Sequence, residues 1–207
     1  MIKDYFVYTR KLIGGRFDDV ICSCAFVDIV KFSKSRVVQD MRDAIHKLHD
    51  SIHDTFGELR WDEDWETRTP NELILAPTGD GYGIAFAPAV PDKEVLSHAK
   101  ELSKTLAKEN LSIRCGISKG PNIVYVDLNE TMNIIGWGMV HAHRVMSLGD
   151  ENHILCGGEF AKPMLQAARI ADLHHLGKYK KKWQTMDVYN YYKDGEFGNP
   201  ASPPINP

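Results

Sequence analysis

The 207-residue chain has no excess of basic charge: 25 lysines and arginines stand against 28 aspartates and glutamates, for a formal net charge of −3. That balance removes the electrostatic drive for sequence-independent nucleic-acid binding, so any phosphate recognition must be local. Long apolar runs are missing too. None approaches the span of a bilayer, and the opening "MIKDYFVYTRKLIGG" lacks the apolar core of a signal peptide. The expectation is a cytoplasmic protein with neither membrane nor nucleic acid as a partner. Cysteine is scarce: Cys22, Cys24, Cys115 and Cys156 show none of the C-x-x-C spacing of zinc or redox sites, and buried free thiols are expected. No repeat or low-complexity block divides the chain, and its length suits one well-buried core.

What is present is a regular alternation of apolar segments and turn signals. Residues 19 to 31 read as a strand. Val37, Met41, Ile45, Leu48, Ile52 and Phe56 then recur at helical spacing up to Gly57. "ELILAPT" and "GYGIAFA" meet at Gly79-Asp80, a hairpin signature. A second helix follows Pro91, with Val95, Ala99, Leu102 and Leu106 as its inner stripe. "LSIRCGIS" and "NIVYVDL" read as two strands about Lys119-Gly120-Pro121, "GMVHAHRVMSLGD" as a helix, "HILCGG" as a strand, "EFAKPMLQAAR" as a short helix and "ADLHHLGKYKKKWQTMDVYNYY" as a terminal hairpin. Paired strands joined as hairpins argue for an α+β sandwich over a doubly wound parallel sheet. The expected division is an N-terminal segment 1–17, a folded domain 18–192 and a mobile tail 193–207, "GEFGNPASPPINP" carrying too little apolar surface for a core.

One residue resists this apolar reading. Asp28 sits inside "CAFVDIVKFSK" with no basic residue before Lys31. A carboxylate in an apolar strand costs several kcal/mol unless a cation or hydrogen-bond donors meet it. Asp80, flanked by Gly79 and Gly81, is a candidate partner, since two carboxylates at strand ends suit magnesium and phosphoryl chemistry. The residues alone leave a second reading open, in which Asp80 is a turn residue and Asp28 is satisfied by backbone donors.

"FVDIVKFS", "TGDGYGIAF", "IRCGISKG" and "GWGMVHAHR", in that order, resemble the motifs of the class III adenylate and guanylate cyclase catalytic domain over residues 18 to 192. The resemblance implies a ferredoxin-like α/β sandwich working as a head-to-tail homodimer with shared active sites. It implies conversion of a nucleoside triphosphate to a 3′,5′-cyclic monophosphate and pyrophosphate. By this analogy Asp28, Asp80 and the Ile29 carbonyl bind two Mg²⁺ or Mn²⁺ ions, which would neutralise Asp28. Gly79 and the Phe32 and Ser33 amides meet the phosphates, Arg144 serves the transition state, and Lys180 and Lys181 lie near the phosphate-binding lysine. Two departures stand out. Val140 occupies the place of the family's ribose-orienting asparagine, so either His141 or His143 substitutes or catalysis is weak. Ala76 and Asn133 fall at the base-reading positions and match neither purine code, which suggests a pyrimidine cyclase like those of bacterial antiphage defence. The alternative is a homologue that has lost turnover, binds nucleotide and dimerises. His46, His49 and His53 are expected on a solvated helix face, and Trp61 and Trp65 over a hydrophobic edge.

Overall fold

The computed structural model describes residues 18–32, 37–56, 73–126, 132–168, 170–181 and 183–203. Expectations for Ser33, Trp61, Trp65 and segment 1–17 lie outside them. The strands are β1 (Asp18–Ile29), β2 (Leu73–Pro77), β3 (Gly81–Phe86), β4 (Ile113–Val126), β5 (Met132–Gly136), β6 (Ile154–Gly157), β7 (Leu173–Lys181) and β8 (Gln184–Tyr191). The helices are α1 (Val38–Phe56), α2 (Asp92–Lys108), α3 (Trp137–Met146) and α4 (Gly158–Ala168). One sheet runs β2-β3-β1-β4-β6-β8-β7, with β5 also paired to β4. Its first half, β1-α1-β2-β3-α2-β4, is a ferredoxin-like unit with β1 between β3 and β4, antiparallel to both.

Helices cover both faces unequally. Leu48, Ile52 and Phe56 of α1, Leu96, Leu102 and Leu106 of α2, and Phe160 and Met164 of α4 share one core with Ala25, Val27 and Ile29 of β1. Each fully buried leucine or isoleucine there contributes about 1.5–3 kcal/mol. The inner stripe expected of α1 is shorter than its periodicity suggests. Val37 and Val38 are exposed, Ala44 and Ile45 pack partly buried against the core, and full burial begins at Leu48.

On the opposite face α3 rests directly on backbone. A Cβ at Gly116 would stand 2.2 Å from Met146 N and 2.3 Å from Ala142 O, and one at Gly120 would stand 3.2 Å from Gly138 N. No side chain fits at Gly116. The expected break at Lys119-Gly120-Pro121 is absent: β4 runs unbroken, in register with β1 from Asp18↔Val124 to Ile29↔Ile113. Gly120 is there to let α3 approach, and Pro121 takes its place in the ladder opposite Ile21.

All four cysteines are buried free thiols. Among the described residues no helix is long and apolar enough to cross a membrane. Past β8, Phe197 packs on Tyr191 with ring centroids 4.9 Å apart, and Asn190 Nδ2 donates to Asn199 O at 2.7 Å. The stretch after residue 192, expected to offer too little apolar surface for a core, adds an aromatic ring to this one.

Candidate functional site

Alternation along β1 decides where Asp28 points. Val27 and Ile29 face the α1–α2–α4 core, while Cys22, Cys24 and Phe26 join the cluster under α3, so Asp28 belongs to the α3 face. On β4 the same rule sends Ile113 and Cys115 to the core and Arg114 to the α3 face. The two residues are direct cross-strand partners. Arg114 Nε and Nη2 both donate to Asp28 Oδ2, at 2.9 and 2.6 Å. The carboxylate that looked unaccompanied in the sequence therefore has a guanidinium, and a metal is not needed to explain its presence. Arg114 is the site residue that the reading of Asp28 missed. Its signal was the same as that of Asp28, a charge inside an apolar strand.

Asp80 approaches from the other side. The hairpin turn brings Thr78 N to Gly81 O at 3.0 Å, with Gly79 at φ +96°, a left-handed conformation that favours glycine. Ile29 N donates to Asp80 O at 3.0 Å, closing the turn onto the end of β1. Gly81 sits against β1 so closely that a Cβ would lie 2.0 Å from Val27 O. Burial raises the Asp28 carboxyl above the usual carboxylate range, Arg114 opposes this, and the nearby Asp80 carboxylate adds to it. The upward direction, due first to burial, prevails although two arginine nitrogens donate to Oδ2, and Oδ1 of Asp28 is not used by Arg114. Hard oxygens from two carboxylates beside a main-chain carbonyl are donors that Mg²⁺ or Mn²⁺ accepts. Beyond Asp28 the chain turns through Lys31, at φ +65°, to Phe32, which packs on the core. Lys31 pairs with Glu151.

A second group of residues gathers at the end of α3. Arg144 Nη1 donates to Gln184 Oε1 at the start of β8, where Gln184 pairs with Lys181 and Thr185 with Lys180. Its guanidinium carbon stands 4.8 Å from the Trp183 ring centre and 5.7 Å from that of Trp137. The two indoles lie 5.7 Å apart. Arg144 and the lysine hairpin are therefore neighbours, yet among the described residues neither hydrogen bond nor ion pair joins Arg144 to Asp28 or Asp80. Val140, 37% exposed, stands one helical turn before Arg144 and contributes no polar atom. Of the two nearby histidines, His141 is buried, its Nε2 facing Gln184 Nε2, while His143 is exposed and packs edge-on against Phe26 at 4.8 Å between ring centroids.

Ala76 lies opposite Gly83 on the hairpin, and Asn133 opposite Tyr125 on β5. Alternation with Ile74 and Ile134, both in the cluster under α3, sets Ala76 on that face and Asn133 on the other. Asn133 Oδ1 accepts from Ile134 N at 2.8 Å. His46, His49 and His53 are exposed on α1, and no metal-binding group of three His, Cys, Asp or Glu occurs among the described residues.

No protein-family model matches the chain, and neither does any curated protein. Solved structures do. The guanylate cyclase domain of RhGC from Catenaria anguillulae, in complex with GTP, aligns at a TM-score of 0.68 and 20% identity over 84% of this chain and 98% of that one. The fold is that of the class III cyclases. The dimeric guanylyl cyclase domain of the RhoGC fusion protein from the aquatic fungus Blastocladiella emersonii gives 0.65 and 18% over 84% and 97%. The adenylyl cyclase CyaB from P. aeruginosa gives 0.65 and 15% over 88% and 100%. At these identities the class III cyclase likeness is one of architecture, and it spans nearly all of each domain.

Proposed function

We propose that this protein is a nucleotidyl cyclase that turns a nucleoside triphosphate into a 3′,5′-cyclic monophosphate and pyrophosphate. The observation that carries the reading is the convergence of Asp28 and Asp80 at the end of β1, in a chain with the class III cyclase fold. Asp28, Asp80 and the Ile29 carbonyl would hold two Mg²⁺ or Mn²⁺ ions. Bound there, the ions would lower the pKa of the ribose 3′-hydroxyl and offset charge on the departing pyrophosphate. The chain's own part is to fix two carboxylates at a rigid sheet end and to offer Gly79 and the amides of Phe32 and Ser33 to the phosphates. Arg114 keeps a planar fork beside that place. Arg144, Lys180 and Lys181 would come from the second copy of a homodimer; among the described residues the partner of the Arg144 guanidinium is Gln184 rather than Asp28 or Asp80. For the base, Ala76 offers no polar atom and Asn133 one amide, so the reading favours a pyrimidine, with antiphage signalling as its setting.

Val140 supports a second reading, a nucleotide-binding homologue without turnover, since an exposed valine cannot orient a ribose. One experiment separates the two. The purified protein is incubated with each of the four ribonucleotides and Mg²⁺ or Mn²⁺, and products are identified by mass. A cyclic product supports the cyclase; nucleotide binding without any product supports the homologue.

A further inference from the structure

Gln184 lies between two residues with opposite hydrogen-bonding needs. Arg144 can only donate, so Gln184 must present Oε1 to it, and this leaves the amide nitrogen facing His141 Nε2. A donor facing that ring nitrogen is satisfied only if Nε2 carries a lone pair, which requires neutral His141 with its proton on Nδ1. We propose that Gln184 is a positioning residue for Arg144, oriented by neutral His141, so that protonation of His141 releases the arginine. A protonated imidazole would present N–H where the amide N–H₂ already points. Turning the amide over to meet it would aim N–H₂ at the guanidinium, so neither of the two amide orientations at this place serves both neighbours, and Oε1 could accept from both only if the side chain moved.

The surroundings of His141 favour the neutral ring. Burial is the largest influence and lowers its pKa, and the Arg144 cation acts in the same direction. Glu159 on α4 and the Gln184 contact act against them. Trp137 covers the ring at 4.4 Å between centroids and carries no charge. The indoles complete the hold on Arg144: Trp183, 69% exposed, and Trp137, 41% exposed, border the guanidinium on their side while Gln184 meets its Nη1. Aromatic faces favour a cation without fixing its rotation, so Gln184 is what sets the direction of the fork.

The catalytic consequence rests on the proposed cyclase reading; the hold itself does not. Full-length protein carrying 5-fluorotryptophan and ¹⁵N-labelled side chains is titrated between pH 5 and 8, with Trp183 assigned through Trp183→Phe and the His141 ring followed directly. The Trp183 fluorine signal, the Arg144 Nε–H signal and the His141 ring should share one midpoint, below the ordinary histidine value of about 6.5. Gln184→Met should uncouple the first two from His141 and lower kcat about tenfold while KM changes less than about twofold. Gln184→Glu, whose carboxylate accepts from Arg144 and from protonated His141 alike, should restore the coupling with its midpoint above about 6.5 and keep kcat at acid pH. Separate midpoints in the unmodified protein, or Arg144 and Trp183 signals unmoved by Gln184→Met, overturn the proposal. If the signals behave as described but no nucleotide is cyclised, the positioning stands and the cyclase reading falls. Cyclic product at the same rate in every variant, with no shared midpoint, has the opposite meaning.

Discussion

The two halves of the Asp28–Arg114 pair should respond to substitution with opposite signs. Asp28 keeps a raised pKa although Arg114 binds it through two nitrogens, so the fold as a whole disfavours the ionised carboxylate. Asp28→Asn removes that unfavourable charge and leaves an Arg114 side chain that is 32% exposed and can turn to water. It should leave stability unchanged or raise it. Arg114→Met does the reverse, stranding a carboxylate that is only 13% exposed beside Asp80. Breaking a fully buried pair costs about 3–5 kcal/mol, and the partial exposure here lowers the expectation to about 2 kcal/mol, or about 4–8 °C in Tm for a domain of this size.

The pH dependence has a fixed sign. A carboxyl with its folded pKa above the unfolded value of about 3.9 contributes stability below that value and loses it as pH rises through the folded pKa. Arg114→Met should steepen that loss and Asp28→Asn should abolish it. Thermal unfolding in chelator-treated buffer at pH 4 to 8, repeated with Mn²⁺, measures both effects. Added Mn²⁺ should recover part of the Arg114→Met deficit, because a cation bound only by the native state stabilises it. Equal losses of Tm in both variants at pH 7 would refute the reasoning, since the pair would then be an ordinary stabilising salt bridge.

Asp80→Asn should lower the Asp28 pKa, raise the Tm of the metal-free protein and remove the Mn²⁺-dependent rise, all read from the same unfolding curves. Gly116→Ala should cost about 3 kcal/mol or more, because the new methyl meets the α3 backbone rather than a side chain that can turn away; urea unfolding measures it. Asp28→Ala mixed with Arg144→Ala should recover part of the cyclase activity through mixed dimers, and a dead mixture of exchanging subunits counts against shared sites. Asn133→Ala should change the preference among nucleotides more than the rate with the best one, tested by competition between substrates.

Much of the fold follows from patterns short enough to read along the chain. The Gly79-Asp80 hairpin, the stripe of α2 and the α+β class all depend on residues a few positions apart. Contacts across the sheet do not. Asp28 and Arg114 are 86 residues apart, and each registers as an anomaly in its own strand until the β1–β4 register pairs them. Lys119-Gly120-Pro121 has the composition of a turn, and only the weight of α3 above it explains why a glycine is needed in a continuous strand. The surroundings of Arg144 are hidden for the same reason. Gln184 and Trp183 belong to another hairpin, and nothing local marks a tryptophan after five basic and aromatic residues as a partner for a helix about forty positions earlier.

Strand β4 connects the two halves of the proposed site. Its first turn of the ladder holds Arg114 against Asp28, its middle supplies Gly116 and Gly120 as the floor of α3, and its far end pairs with β5, which leads into that helix. A shift of β4 along β1 by one residue would reverse the face of every side chain it carries, sending Arg114 into the core and a bulky residue under α3. The register that gives Asp28 its counter-charge is therefore the same one that lets α3 settle on bare backbone and present Arg144. A substitution that strains α3, such as Gly116→Ala, should for that reason disturb the Asp28 titration as well as the Arg144 signals, whereas Gln184→Met should leave Asp28 untouched. Measuring the Asp28 carboxyl shift in both variants decides whether the coupling runs through β4, and an unmoved Asp28 in a folded Gly116→Ala protein would show that the two halves are independent.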